Sequence, residues 1–312
     1  MQEPTKLKQL AEEILSLLFA YRRSLADAHE YRHYCEQCNH PHKEKIESFI
    51  ASGQPIHMVL PGFPTKSPNL DKVLGVLPDK GEKISLNFLN SLCDSIKQIY
   101  PPGAEITICS DGHVFADLIE VSDENVFAYN QKIADIIKQE NLINLNTFGL
   151  SNVIGDNSFD KQRLTLIENY AQSYDEIKLL IKSTPRELAL FNGIKKFLLA
   201  DFIYLEPTMS KTALRKKVHA LTYSVIQRSH AWSSVIEEKF PDSVRLSIHP
   251  QPCHFNKLGI YLMDTKNNWL TPWHGVAVFK GGKFELMKKY QVPMDSCELI
   301  FEDGYPSYYI AT

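Results

Sequence analysis

Ile56-His57-Met58-Val59-Leu60-Pro61-Gly62 and Glu105-Ile106-Thr107-Ile108-Cys109-Ser110-Asp111-Gly112 are the two stretches on which the fold turns. Each is a short apolar run closed by turn residues, the form taken by strands that are buried on both faces. Between them, residues 63–80 are rich in Pro, Gly, Ser, Asn and Asp and must be loop. Leu86, Leu89, Leu92, Cys93, Ile96 and Ile99 then recur at helical spacing until Pro101-Pro102-Gly103 ends the stripe. Strand, loop, helix, strand in that order predicts parallel pairing through a crossover helix, hence an open, Rossmann-like α/β sheet. Ligands of such sheets bind at the carboxyl ends of the strands, which here means 61–69 and 110–113.

Working outward, Leu7, Leu10, Ile14, Leu17, Leu18, Tyr21 and Leu25 predict an amphipathic helix over 5–34, and Ile46, Phe49 and Ile50 a shorter one. Residues 125–139 read as helix and 145–148 as a third strand. From 160 to 240 the periodicity is mostly helical, with a basic stretch over 211–217. Strand character returns at 244–248, 259–263, 275–279 and 283–287, the last two joined as a hairpin by Gly281-Gly282. The organisation expected is an N-terminal helical segment (1–55), a Rossmann-like α/β core (56–155) and a helical and β-strand portion (156–312) that completes the site.

Composition narrows the function. A chain of 312 residues, 44% hydrophobic and 23% charged, has the material for a packed core. Its net charge of −3 gives no reason to expect nucleic acid or an anionic membrane as a partner. The first residues place acidic and polar side chains through their apolar run, unlike a signal peptide, and no stretch of about 18 apolar residues is present. With six cysteines and no export signal the expected setting is cytoplasmic, with reduced thiols.

Several short constellations are able to carry chemistry. In Pro61-Gly62-Phe63-Pro64-Thr65-Lys66-Ser67-Pro68-Asn69 the prolines stiffen a loop that offers a cation and hydrogen-bond donors, suited to a phosphate or other anion. A Pro-rich surface loop with a solvated lysine has the same appearance. Ser110-Asp111-Gly112-His113 pairs a carboxylate with an imidazole for proton transfer, although Asp-Gly is also an ordinary turn. Arg245, Ser247 and His249 alternate along 245–249 and would share one face of a strand, either to hold a carboxylate or phosphate or merely as a solvent face. Thr271-Pro272-Trp273-His274 offers an aromatic wall and an imidazole, or a buried structural turn. Cys35-x-x-Cys38, with His33, His40 and His42 nearby, has the spacing of half a zinc site; no second pair is present, a histidine with favourable geometry could complete it, and ordinary packed thiols are the plainer reading, so no metal is expected. The basic 211–217 stretch is most simply a solvated helix face.

Six blocks together resemble the pyoverdine/dityrosine biosynthesis family, whose bacterial members include isocyanide (isonitrile) synthases of the PvcA type. They are the 61–69 loop, 72–82 (Lys72-Val73-Leu74-Gly75-x-x-Pro78-Asp79-x-Gly81-Glu82), Pro102-Gly103-Ala104, Ser110 to Phe115, Arg245 to Pro250 and Thr271 to His274. They fall in family order. The resemblance implies a lyase-type reaction in secondary metabolism in which L-tyrosine or L-tryptophan and ribulose 5-phosphate give the α-isocyano acid, without a cofactor. It also implies that an iron/2-oxoglutarate-dependent oxygenase consumes the product. Matching that chemistry to the residues assigns anion binding to Lys66, Ser67 and Asn69, and proton transfer to Asp111, His113 or His249. Arg245, with Ser247, would hold a carboxylate or phosphate, and Trp273 with His274 the arene. Lys66 as a Schiff-base nucleophile is the lesser option, because the substrate brings its own amine. A sugar-phosphate aldolase or isomerase is the rival enzyme, and a metal-stapled, non-catalytic binding protein the rival outside catalysis.

Overall fold

The computed structural model describes residues 4–25, 36–155, 158–252 and 254–311, with 4–5 and 36–40 described by backbone alone. His33 and Cys35, and the side chains of Cys38 and His40, lie outside the described residues, and so does the half zinc site they suggested.

Two helices, α1 (Pro4–Phe19) and α2 (Glu36–Ser52), lead into strand β1 (Ile56–Pro61). Helix α3 (Lys80–Ile99) then crosses over to β2 (Ala104–Cys109). Its start is fixed by a capping box. The Asp79 side chain accepts from the Gly81 amide, and the Glu82 side chain accepts from that of Asp79. A short α4 (Gly112–Phe115) and α5 (Asp123–Gln139) return the chain to β3 (Leu145–Phe148). A helical run follows: α6 (Ser151–Ile154), α7 (Phe159–Tyr170), α8 (Tyr174–Ser183), α9 (Pro185–Leu205) and the long α10 (Lys211–Lys239). Strands β4 (Val244–Ser247) and β5 (Leu258–Gly259) complete a five-stranded sheet of order β3-β2-β1-β4-β5, parallel throughout.

The predicted open α/β sheet is therefore present, with the order reversing between β1 and β4. Alternation sorts its side chains. Met58, Leu60, Ile106, Ile108 and Leu246 face a core built with α1 and α3, in which Ile14, Leu18, Leu86 and Leu89 are fully buried. Val59 and Cys109 face α10 and pack with Trp232, Val235 and Ile236. Each large apolar side chain so buried contributes about 1.5–3 kcal/mol. The Trp232 indole donates to the Cys109 carbonyl at 3.3 Å, so the one polar atom of that ring is also satisfied.

A second, four-stranded sheet of order β7-β6-β9-β8 joins β6 (Val276–Lys280), β7 (Lys283–Met287), β8 (Cys297–Glu302) and β9 (Tyr305–Ala311). The predicted hairpin forms, with both of its glycines at positive φ (58° and 80°). Two expectations fail locally. The first helix stops at Phe19, and Arg22 and Ser24 instead make β-bridges to Ile260 and Gln251. The strand expected over 259–263 is only Leu258–Gly259, because the chain turns aside once it has met that N-terminal segment. Among the described residues no helix is long and apolar enough to cross a membrane.

Candidate functional site

The loops after β1 and β2 are locked together by a glycine. A Cβ on Gly112 would lie 2.1 Å from the Pro64 carbonyl oxygen, so only a residue without a side chain lets the two backbones meet. Ser110 Oγ donates to the Phe63 carbonyl at 3.1 Å, and Ser67 N donates to the Trp273 carbonyl at 2.9 Å. Phe63, buried with φ of 53°, packs on the Trp273 ring at 5.2 Å. Segments 62–69, 110–113 and 271–274 thus come together at the carboxyl ends of the strands.

Within this frame Lys66 is wholly enclosed. Its amine lies 2.7 Å from Asp79 Oδ2 and 2.8 Å from Glu82 Oε2, and it donates to the Pro272 carbonyl at 3.2 Å. Burial opposes its charge, but the two carboxylates outweigh that and raise its pKa. One lysine cannot neutralise two buried acids, so Asp79 is pushed up to about 7, by burial first and also by Glu82. An amine held this way is neither a free nucleophile nor an open anion hook. Ser67, expected to bind substrate, donates instead to Asp201 Oδ1 at 2.7 Å. Trp273, expected to wall the aromatic pocket, is 2% exposed and belongs to the core beneath it.

The open space lies one layer above. A cavity of about 1150 Å³ is lined by one side of α9, by Pro252, His254 and Phe255, by the 267–270 segment, and by His274 and Tyr290. Phe197, Phe255 and Trp269 supply its aromatic walls. A Cβ on Gly193 would meet the Trp269 ring at 2.9 Å, so the indole is seated directly on the α9 backbone. Asn69 and Lys72 reach the cavity from the loop after β1. Lys72 pairs with Asp201 at 2.5 Å and donates to the Phe197 carbonyl at 2.9 Å, while burial lowers its pKa.

Two imidazoles of this region, His274 and His249, are held below the ordinary value by burial. His274 stacks on Phe197 at 4.9 Å, its Nδ1 is buried without a partner, and burial together with Lys72, His249 and Lys66 holds its pKa well below the usual value. His249 lies beside Trp269, at 5.8 Å between ring centres, and is pushed down to about 3 by burial, with Arg23, Arg186 and Lys257 adding to it. Arg23 fixes the segments that carry them, donating to the Ile248 carbonyl and, at 3.1 Å, to that of Leu270.

Arg245 projects from β4 toward α10, where its Nη2 donates to Ser233 Oγ at 3.0 Å. Lys257 Nζ donates to the same hydroxyl at 2.8 Å. Arg186 at the start of α9 pairs with Glu187, lines the cavity, and donates through Nε to Gln251 Oε1 at 3.0 Å. Ser247 accepts from Gln251 Nε2 at 2.8 Å and from the His249 amide, so it orders this turn rather than facing the cavity.

Asp111 and His113 part company. The Asp111 Oδ1 atom is buried with no partner, and burial pushes the carboxyl up to about 7. His113 stacks on Phe159 at 3.6 Å and bonds Asp123 at 2.9 Å, and Asp123 is gripped by Arg163 through both oxygens. That places it among α4, α5 and α7, not on the cavity wall. Lys217, from the basic stretch, pairs with Glu120 and Glu206. Among the described residues no three His, Cys, Asp or Glu side chains are grouped to hold a metal ion.

A doubly wound parallel sheet with an aromatic-walled, cation-bearing cavity at its carboxyl edge is the architecture of an α/β protein that encloses a small molecule. Its lineage follows from comparison. The pyoverdine/dityrosine biosynthesis protein family matches residues 46–300, and the chain belongs to that family. It is 44% identical to an L-tryptophan isonitrile synthase of Fischerella ambigua, over 99% of this chain and 94% of that one. It is 43% identical to an L-tyrosine isonitrile synthase of Xenorhabdus nematophila, over 97% and 92%. The crystal structure of PvcA from Pseudomonas aeruginosa superposes with a TM-score of 0.92 at 38% identity, over 96% of this chain and 99% of that one.

Proposed function

We propose that this protein is an isonitrile synthase that converts the α-amino group of L-tryptophan or L-tyrosine, with ribulose 5-phosphate as the carbon donor. The observation that carries the reading is the cavity: about 1150 Å³, walled by Phe197, Phe255 and Trp269 and set beside Lys72 and Arg186, in a chain whose near relatives act on those amino acids. The arene fits between the aromatic walls, which leaves the charged end of the amino acid toward the cations. An ammonium group must lose a proton before it attacks a ketone, and nearby cations favour that loss. His274 lines the same cavity uncharged, so it serves as a neutral hydrogen-bonding partner for the substrate and not as the base. Asp111, whose buried carboxyl is pushed up to about 7, is the group suited to exchange a proton near neutrality in the later transfers. Asn69, on the cavity wall, donates to the Ala200 carbonyl at 3.0 Å and accepts from the Asp71 amide at 2.8 Å, which leaves one side-chain N–H to orient the substrate. The product passes to an iron/2-oxoglutarate-dependent oxygenase.

The test is incubation of purified protein with ribulose 5-phosphate and tyrosine or tryptophan in turn, followed by infrared and mass detection of the isonitrile. Carbon-13 carried from the labelled sugar into the isonitrile would establish the donor. Consumption of the sugar phosphate without any amino acid would favour an aldolase or isomerase. No isonitrile from either amino acid would defeat the proposal.

A further inference from the structure

We propose that Arg245, Lys257 and Arg186 form the subsite that takes the phosphate monoester of the sugar substrate, with the Ser233 hydroxyl between the first two. The assignment rests on the isonitrile-synthase reading for the identity of the sugar, and on the geometry for the place. Two cationic side chains converge on one hydroxyl oxygen, at 3.0 and 2.8 Å, from different parts of the chain. Like charges are not brought together inside a protein without an anion to share them, unless a carboxylate stands between. Among the described residues neither Arg245 nor Lys257 forms an ion pair. Glu187 is already shared by Arg186 and His230, the latter at 3.1 Å, and Glu237 is exposed one turn beyond Ser233.

Arg245 is 5% exposed, yet its Nε is buried with no partner. A guanidinium in that state has a donor waiting. Lys257 bears the strain of the arrangement: burial first, then Arg245 and Arg186, bring its pKa down to about 7, against the weaker pull of Glu187 and Glu237. Among the described residues the groups facing it are those four and His249, whose pKa burial pushes down to about 3.

Charge selects the occupant. A phosphate monoester carries roughly −1.5 to −2 at neutral pH and three acceptor oxygens. That matches two cations that form no ion pair among the described residues, whereas an amino-acid carboxylate would cancel only one. Arg186 lies on the boundary, with its side chain on the wall of the aromatic cavity and its Nε bonded to Gln251, which holds Ser247 on β4. A sugar phosphate anchored at Arg245 and Lys257 would therefore extend its carbon chain toward the amino acid.

Calorimetric titration of inorganic phosphate into the whole protein tests this directly. Wild type should bind, Lys257→Gln and Arg245→Gln should lose at least about tenfold in affinity, and Lys257→Arg, which keeps the charge, should restore it. At neutral pH, binding should draw a fraction of a proton onto Lys257, so the buffer-dependent heat should differ between wild type and Lys257→Arg, which keeps only the proton change of the phosphate itself. In turnover, KM for ribulose 5-phosphate should rise about 10- to 100-fold in the two glutamine variants while KM for the amino acid stays within about twofold. Unchanged phosphate affinity in all variants overturns the subsite, and so does a rise confined to the amino acid's KM, which would put the carboxylate there. Isonitrile formation with unaltered sugar-phosphate KM would remove the subsite and leave the reaction. Phosphate binding that needs Lys257, in a protein that makes no isonitrile, would do the reverse.

Discussion

Replacing Lys66 by methionine keeps the length and bulk of the side chain but strands Asp79 and Glu82 together in the interior. In the native chain the amine sits 2.7 and 2.8 Å from them, with no solvent access to its side chain. Breaking a buried pair by removing one partner costs about 3–5 kcal/mol. For 312 residues, an unfolding entropy near 2.1 cal/mol/K per residue makes that a fall of roughly 5–8 °C in Tm. The loss should depend on pH. Asp79 already holds its proton up to about 7 when folded, against 3.8 ordinarily, so its contribution favours the fold at low pH and is lost as pH rises from about 4 to about 7. Without Lys66 that folded value climbs further, so the deficit of the variant should be larger near pH 8 than near pH 5. Thermal unfolding followed by circular dichroism at both pH values measures it, and the double variant Lys66→Met/Asp79→Asn should recover much of the loss. A Lys66→Met protein with wild-type Tm at both pH values and no turnover would refute the structural role and return the amine to the chemistry.

Asp111→Asn removes a carboxyl whose folded pKa of about 7 lies above 3.8, a difference worth at most about 4 kcal/mol. Relative to wild type, its Tm should improve as pH rises from about 4 to about 7 and then level off; a constant offset would contradict the assigned protonation. Gly112→Ala drives a methyl group to 2.1 Å from the Pro64 carbonyl, so chemical denaturation should show a loss of about 2–4 kcal/mol. Neutral behaviour would mean that the two loops are not in contact. Trp269→Ala should raise the amino acid's KM about 10- to 100-fold and leave that of the sugar phosphate near wild type. Equal effects on both substrates would argue against an arene-binding wall.

How much of this was legible beforehand depends on whether the cause is local. β1, β2 and α3 announce themselves because alternation, helical spacing and the Pro-Pro-Gly stop are properties of neighbouring residues. The loops at their carboxyl ends were found for the same reason. The second hairpin, β8 to β9, was missed although Asp303-Gly304, both at positive φ, carries the same turn chemistry as Gly281-Gly282. The site was harder to read. Whether Lys66 faces a ligand or two acids depends on Asp79 and Glu82, which lie a loop away and also cap a helix. Trp273 and Trp269 are four positions apart, and nothing local says which is core and which is wall. Arg186, Ser233 and Lys257 belong to no motif quoted from the sequence. They meet because α9, α10 and the segment before β5 converge, and a buried cation at such a meeting leaves no periodic trace.

The long connection between β3 and β4 has an effect beyond topology. It contains α9, whose Gly193, Phe197 and Ala200 border the cavity, so the same excursion that makes the two strands parallel also roofs the ligand chamber. Flooring and roofing are thereby supplied by different parts of the polypeptide. Drift in the helical excursion can remodel the aromatic-walled space while the strand ends, their glycine-locked loops and the buried lysine beneath them stay as they are. One scaffold can in this way change its guest without rebuilding its foundations.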